Sequence, residues 1–303
     1  MNLQRMLNSR QAGGWALRIS KFLSPALGLR FAQFVADQIV TNRQLPLVQA
    51  IRANRWVVSG EQLTGADLDQ AVRDNLRYIA RSYYTLFHNL HDPVALQSLV
   101  EFNQPILELI ARSQKQKHGV VVAGLHLSNF DLIIQAAAWR GLRGLTLTLP
   151  EGTENQPAVE WQHAFRRRSG MEILPASFPN FRQAIHRLQA GETVITGLDR
   201  PVSSAKYYPV FFGRPAHLPT HYIHLALAAK VPLLVFAAIQ KSDGVYQIFS
   251  SEEIELRTYT DRQVELVSNA ERVLEVAASF IRRAPEQWSI SLPAWPETLS
   301  EMP

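Results

Sequence analysis

The sequence predicts a mixed α/β protein, with a largely parallel sheet flanked by helices and a helical part ahead of it. Apolar residues recur at helical spacing through the first 117 residues, whereas from His118 onward short apolar runs alternate with helices. The 303 residues, 47% of them hydrophobic, are enough for a large core. We therefore expect a helical cap over 1–117, an α/β domain over 118–295 and a loose tail over 296–303.

Positive charge is concentrated near the N-terminal end. Residues 1–60 contain eight Lys and Arg against Asp37 alone, while the whole chain carries +5. Arg18 and Lys21 share one face of a predicted helix that is bent near Pro25. Its apolar face is formed by Trp15, Ile19, Phe22, Leu23 and Ala26.

Three interpretations of this basic amphipathic helix are open. It can lie in the headgroup layer of a membrane, with its apolar side in the acyl boundary. It can instead pack on the core with solvated arginines. Nucleic acid is a third partner, but no helix-turn-helix, zinc-finger or RNP-like pattern accompanies the charge, so we expect none. Uncharged windows are shorter than the roughly 20 residues of a spanning helix, so we expect no membrane span.

The remaining elements follow from periodicity. Helices are predicted at 62–91, 132–140, 157–168, 180–189, 221–230 and 261–283. Strands are predicted at the runs GVVVAGL, LTLTL, MEIL, TVITGL, YYPVFF and PLLVFAAI, followed by an antiparallel pair YQIFS and EIEL. Strands that alternate with helices in this way form a parallel or mixed sheet covered on both faces.

The chain contains no cysteine. This excludes a disulfide framework, a Cys-based zinc site, an iron–sulfur cluster and a thiol nucleophile. A Gly-x-Ser-x-Gly nucleophile elbow is also missing from the sequence. Covalent catalysis through the common thiol or serine arrangements is therefore not expected.

The stretch HLSNFD, residues 126–131, has two interpretations. Ser128 followed three residues later by Asp131 is a capping-box pattern, which would make Asp131 only a helix-start residue. His126, however, follows the first long strand of the α/β part, and ligands of open α/β sheets bind beyond the carboxyl ends of strands. Asp131 could then orient the imidazole as a general base aimed at a hydroxyl.

These residues also carry a family resemblance. HLSNFD fits the His-x4-Asp motif of the glycerolipid acyltransferase superfamily. Its context resembles the bacterial lipid A biosynthesis acyltransferases (lauroyl and myristoyl transferases) and the phosphatidylinositol mannoside acyltransferases. Three further stretches in the same order, over residues 10–290, are similar to family blocks: EWQHAFRRRSGMEILP, GETVITGLDRPVSSAKYYPVFFGRPAHLPTHYIHLALAAKVPLLVF and RRAPEQW.

The resemblance implies a glycerolipid acyltransferase-like fold. It also implies transfer of a fatty acyl group from acyl-CoA or acyl carrier protein to a hydroxyl of a glycolipid or lysophospholipid, with no cofactor or metal. His126 would be the general base and Asp131 would position it. The substrate contacts would be Ser128, Asn129, Arg167, Arg168, Asp199 and Arg200. Backbone amides near Ser128 and Asn129 would bind the oxyanion.

The resemblance further implies a peripheral enzyme on the cytoplasmic face of the inner membrane, with membrane lipids as partners. The acceptor stays open, because SNFD and DRP look closer to the phosphatidylinositol mannoside branch than to the lipid A branch. A longer apolar anchor would be expected of the lipid A enzymes.

Two other classes of function compete. A metal-dependent lipid hydrolase could use the spacing of HNLHDP, which contains His88, His91 and Asp92, or of HYIH, which contains His221 and His224. No His-Glu-x-x-His or comparable motif accompanies them. A non-catalytic lipid-binding protein would need the basic helix but not the His-Asp motif.

Overall fold

A computed structural model describes residues 23–148, 171–203 and 205–303. The predicted helix 157–168, with Arg167 and Arg168, and the first 22 residues of the basic segment lie outside this part. No helix among the described residues combines the length and apolarity needed to cross a bilayer.

Four helices lead into the sheet: α1 (Pro25–Val40), α2 (Pro46–Val58), α3 (Gly65–Asn89) and α4 (Pro93–Ser98). Pro25 starts α1 rather than bending a longer helix, because Ser24 before it is extended, with φ −59° and ψ 149°. Proline suits this first position, where its missing N–H leaves no helical bond unmade. The helix predicted at 62–91 is confirmed as α3.

The main sheet has seven strands in the order β1-β9-β8-β2-β5-β3-β4. Their bounds are β1 Val100–Glu101, β2 Val120–Gly124, β3 Leu145–Thr148, β4 Glu172–Pro175, β5 Thr193–Gly197, β8 Leu233–Gln240 and β9 Tyr246–Ser250. Every neighbouring pair is parallel except β8 with β9. A small antiparallel pair, β6 (Val210–Phe211) and β7 (Arg214–Pro215), stands apart. The predicted mixed, largely parallel sheet is confirmed.

Helices cover both faces of this sheet. They are α5 (Gln104–Lys115), α6 (Phe130–Trp139), α7 (Phe178–Gln189), α8 (His221–Ala229) and α9 (Arg262–Arg283). Along β2, Val121 and Ala123 belong to one hydrophobic cluster and Val120 and Val122 to another. Alternate side chains of a strand point to opposite faces, so the two clusters are the two sides of one sheet.

Three expectations about element boundaries are wrong. The segment before Lys117 is not all-helical, because β1 pairs with β9 at the sheet edge. The run EIEL contributes only an isolated bridge between Ile254 and Leu233. The tail is not loose: a 3₁₀ helix covers Pro296–Ser300, its Thr298 is fully buried, and the last carbonyl accepts a hydrogen bond from Arg52.

Helix α1 packs on α3 through small residues, while its large residues Leu27, Phe31 and Phe34 stay exposed. Its buried positions are Gly28, Ala32 and Ala36, which recur every four residues along one face. A Cβ at Gly28 would lie 2.0 Å from the ring of Tyr84 on α3. The Tyr84 hydroxyl donates to the carbonyls of Leu23 (3.2 Å) and Ser24 (3.3 Å), so this ring is anchored at the start of α1.

We expect Gly28→Ala to destabilise the protein, although Ala in place of Gly normally stabilises a helix by up to about 1 kcal/mol. The new methyl must displace the anchored Tyr84 ring, which costs about 1–3 kcal/mol as overpacking. Thermal unfolding measures the loss. Combining Gly28→Ala with Tyr84→Leu should recover part of it; strictly additive effects would argue against the contact.

Candidate active site

Strand register brings His126 and Asp199 together. Gly124 of β2 is paired with Gly197 of β5, and the amide of Leu198 donates to the Gly124 carbonyl over 3.1 Å. His126 and Asp199 each follow their strand by two residues, so they emerge side by side at the carboxyl edge of the sheet. This edge is where α/β sheets bind ligands.

The two side chains form a hydrogen-bonded pair. Nδ1 of His126 lies 2.7 Å from Oδ1 of Asp199, and the His126 backbone amide donates to Oδ2 of the same carboxylate over 3.0 Å. Asp199 is fully buried, whereas the His126 side chain is partly exposed. An ionised carboxylate can only accept, so Nδ1 carries the proton and Nε2 keeps its lone pair. The pair presents an oriented base.

The Asp199 carboxylate has a second donor. The indole Nε1 of Trp288 donates to Oδ2 over 2.8 Å. The hydroxyl of buried Tyr222 has no hydrogen-bond partner among the described residues. Burial raises its pKa, and the charge of the Asp199 carboxylate raises it further. Asp199 therefore sits in a desolvated site whose hydrogen-bond donors are fixed by the protein.

The imidazole depends on a glycine for its place. A Cβ at Gly197 would lie 3.1 Å from Cε1 of His126, which is tighter than ordinary packing. On another side the ring meets Phe130 edge-on, with centroids 4.4 Å apart. Gly197 and Phe130 thus define the slot in which the ring sits.

Ser128 and Asn129 hold the loop that carries His126. Ser128 adopts φ +60°, a left-handed conformation that is unusual for serine, and its hydroxyl lies 2.6 Å from the Tyr78 hydroxyl on α3. The side-chain amide of Asn129 donates to the Ser82 carbonyl over 2.8 Å. Both residues are buried. Their predicted role as substrate contacts stays a prediction, but in the structure they tie the loop to α3.

The predicted capping box does not form. Helix α6 begins at Phe130 after the N-cap Asn129, and no side-chain cap is made because Ser128 and Asn129 bond to α3 instead. Asp131 is buried in the first turn of α6. The carboxylate at Nδ1 of His126 is that of Asp199, so the orienting role predicted for Asp131 acquires a second candidate.

The closing segment, residues 284–290 after α9, pairs through its main chain with the loop that carries His126. The Ser128 amide donates to the Gln287 carbonyl over 2.8 Å, and the Ser289 amide donates to the His126 carbonyl over 2.9 Å. The Ser128 amide is therefore already used, which removes it from the amides expected to bind an oxyanion. Asn75 on α3 donates to the Glu286 and Trp288 carbonyls over 2.7 and 2.9 Å, and so fixes this segment to α3.

The other predicted contacts are spread out. Arg200 follows Asp199 directly and is half-buried at the same sheet edge. Two cations of the N-terminal segment, Arg43 and Arg52, both pair with Asp69 on α3, and Arg55 is buried. Among the described cations of that segment, these three do not form an open basic face.

The His residues of the metal hypothesis have protein partners. Nε2 of His221 lies 2.7 Å from the Thr196 hydroxyl, and Nδ1 of His224 lies 2.5 Å from Arg262. Thr196 points to the opposite side of β5 from Gly197 and His126. Within the residues that the structure covers, no three His, Asp or Glu side chains converge as metal ligands.

These features define a class of α/β protein in which a His after one central strand is paired with a carboxylate after the strand beside it. The sequence model of one family, bacterial lipid A biosynthesis acyltransferase, matches residues 67–296, and the chain belongs to this family. It is therefore an acyltransferase that acts on lipids. No curated protein matches the chain.

Sequence reasoning missed Trp288, Asn75 and Gly197. In sequence, RRAPEQW only resembles the closing block of the family. Its Trp cannot be linked to Asp199 without knowledge of the fold. Asn75 lies on the apolar side of a predicted helix, and a buried Asn is a detectable signal because its amide must be satisfied.

The free energy of unfolding should decrease as the pH falls, because buried His221 then becomes protonated. Burial, with a contribution from His224, lowers the His221 pKa from 6.5 to about 4. The unfolded chain therefore takes up this proton first, and the folded state loses up to about 3 kcal/mol as the pH falls from 6.5 to about 4. Denaturant unfolding across this range should show a weaker pH dependence for His221→Gln than for the wild type. His186→Gln, on the exposed side of α7, is the control and should leave the slope unchanged; equal slopes for all three proteins would contradict the assignment.

Proposed function

We propose that the chain transfers a fatty acyl group from an acyl thioester to a hydroxyl of a glycolipid or lysophospholipid, with His126 as general base. The observation that carries the proposal is the contact of His126 Nδ1 with buried Asp199. It leaves Nε2 as the basic nitrogen on a partly exposed ring, at the sheet edge where a substrate would bind.

The proposed reaction needs only proton transfer from this pair. Nε2 of His126 takes the proton of the acceptor hydroxyl as its oxygen attacks the thioester carbonyl. The tetrahedral intermediate collapses by breaking the C–S bond, and the imidazolium returns the proton to the leaving thiolate. The products are an ester and a free thiol. Asp199 stabilises the transient imidazolium and holds the ring in the reactive tautomer.

A thioester donor fits the composition of the chain. Thioesters are already activated, so an alcohol made nucleophilic by a base can attack without a covalent enzyme intermediate. This accords with a chain that has no cysteine. Acyl-CoA and acyl carrier protein are both candidate donors, the acceptor candidates are a lipid A precursor, a phosphatidylinositol mannoside and other glycolipids or lysophospholipids, and the proposed chemistry uses no cofactor.

A peripheral position on the cytoplasmic face of the inner membrane is the second part of the proposal. Leu27, Phe31 and Phe34 lie on the outer side of α1 and are 56%, 53% and 59% exposed. Their spacing of four and three residues makes a continuous apolar stripe, with exposed Arg30 between them. A stripe of this kind suits the boundary between headgroups and acyl chains.

The acyl-transfer proposal predicts a graded series of variants. His126→Ala should abolish transfer. Asp199→Asn should reduce kcat by roughly 10³–10⁴-fold, because the Asn amide can donate to Nδ1 and trap the tautomer that lacks a free Nε2. Transfer is measured by incubating purified protein with labelled acyl-CoA or acyl carrier protein and bacterial lipid extract, and then identifying acylated lipids by mass spectrometry.

Asp131→Asn is the matched variant in the neighbouring helix. A loss as large as that of Asp199→Asn would assign the orienting role to both carboxylates, and a small loss would leave it with Asp199. Undiminished transfer by His126→Ala would reject the base. A folded protein without transfer to any extract lipid, but with vesicle binding, would favour a non-catalytic lipid-binding role.

Membrane binding should depend on the α1 stripe. Phe31→Ser with Phe34→Ser removes apolar surface that is already exposed, so folding should be preserved while sedimentation with anionic vesicles falls about tenfold or more. Binding of the wild type should also weaken with salt and on deleting residues 1–30.

Phe178→Ser is the control, because Phe178 on α7 is at least as exposed as the stripe residues but lies outside α1. It should sediment with vesicles like the wild type. Equal binding by all variants, at low and high salt, would rule out this surface.

A further inference from the structure

Trp288 is the side chain of the closing segment that contacts the Asp199 carboxylate, while the Ser289 hydroxyl donates to the His126 carbonyl over 2.8 Å. Trp288 is 2% exposed, and its indole N–H ends on Oδ2 of Asp199 at 2.8 Å. An indole N–H can only donate and a carboxylate oxygen accepts, so the direction of this hydrogen bond is fixed. The RRAPEQW stretch therefore contributes a polar group to the centre of the site.

The contacts on Asp199 distinguish its two oxygens. Oδ1 faces the imidazole at 2.7 Å and Oδ2 receives the Trp288 indole at 2.8 Å, while the His126 backbone amide is shared between Oδ2 at 3.0 Å and Oδ1 at 3.2 Å. The indole is thus the donor specific to Oδ2, and it opposes rotation of the carboxylate away from Nδ1.

Trp288 is itself held in place by the His126 loop. Leu127 and Trp288 face each other in an antiparallel bridge, flanked by the hydrogen bonds that join Ser128 to Gln287 and Ser289 to His126. On its other side the Trp288 carbonyl accepts from Asn75 of α3. The base, its carboxylate and the indole are thus connected in one closed ring of contacts.

We propose that Trp288 is a positioning residue for acyl transfer: its indole N–H fixes the Asp199 carboxylate that orients His126. This inference rests on the proposed function of the pair. The imidazole of His126 and the indole of Trp288 both contact the Asp199 carboxylate, whose charge also raises the pKa of Tyr222. Loss of the indole N–H removes one donor that holds Oδ2, so Oδ1 would be less firmly aligned with Nδ1.

The test replaces the indole N–H and little else. Trp288→Phe keeps an aromatic ring at this position but loses the N–H donor. A protein with β-(3-benzothienyl)alanine at position 288 loses the same donor and retains the shape of the indole. Trp295→Phe is the matched control. Trp295 is 1% exposed, its ring centroid lies 6.2 Å from that of Trp288, and its indole donates to the Arg214 carbonyl.

We expect both position-288 variants to lower kcat by about 10- to 100-fold with little change in KM, as befits a lost hydrogen bond to a charged group. The pH–rate profile of both variants should also shift from that of the wild type. Trp295→Phe should change thermal stability but keep kcat within about threefold and leave the profile in place.

The sulfur analogue matters if Trp288→Phe does not fold, because it preserves the shape of the indole. A benzothienyl protein with the wild-type kcat and pH profile would overturn the inference, as would a Trp295→Phe protein that shifts the profile equally. His126→Ala is assayed beside them. If it keeps its activity, the proposed function fails, whereas an inactive His126→Ala with an unaffected benzothienyl protein rejects only the role of Trp288.

Discussion

The burial of one carboxylate constrains the whole site. Asp199 is removed from water, and a buried ionised group is tolerated only where donors replace its hydration. Its donors come from two distant stretches, the His126 loop and Trp288. The β2 and β5 register, the loop and the closing segment must therefore form together for the carboxylate to be satisfied. The base geometry is a consequence of that requirement.

Long-range pairing also explains what the sequence could and could not predict. Alternating apolar runs predict the sheet and its helices, and the position of His126 after the first long strand predicts a site residue. The partner of His126 could not be read the same way, because Asp199 lies 73 residues away and its position depends on strand register. Asp131 matches the acidic position of the His-x4-Asp motif, and this resemblance favours it for the orienting role.

Local patterns failed where tertiary contacts outweighed them. The Ser128 hydroxyl could have capped α6, but Tyr78 offers it a buried partner at 2.6 Å. Likewise, the basic composition of residues 1–60 predicts a charged surface, yet Arg43 and Arg52 share the single carboxylate of Asp69. Composition alone does not show which charges have partners. Among the described residues of this segment, the exposed stripe of α1 keeps the apolar surface that the pattern indicated.

Helix α3 joins the exposed stripe of α1 to the loop that carries His126. One side of it receives the small residues of α1, with Gly28 against Tyr84, so the α1 stripe has a fixed direction relative to α3. From the same helix, Tyr78, Ser82 and Asn75 hold the His126 loop and the closing segment. If the stripe binds a membrane as proposed, the bilayer would set the orientation of His126 through one helix of 25 residues. Acceptor hydroxyls at the headgroup level would then meet His126 in a reproducible direction, which favours transfer to a lipid held in the bilayer over transfer to a freely tumbling alcohol.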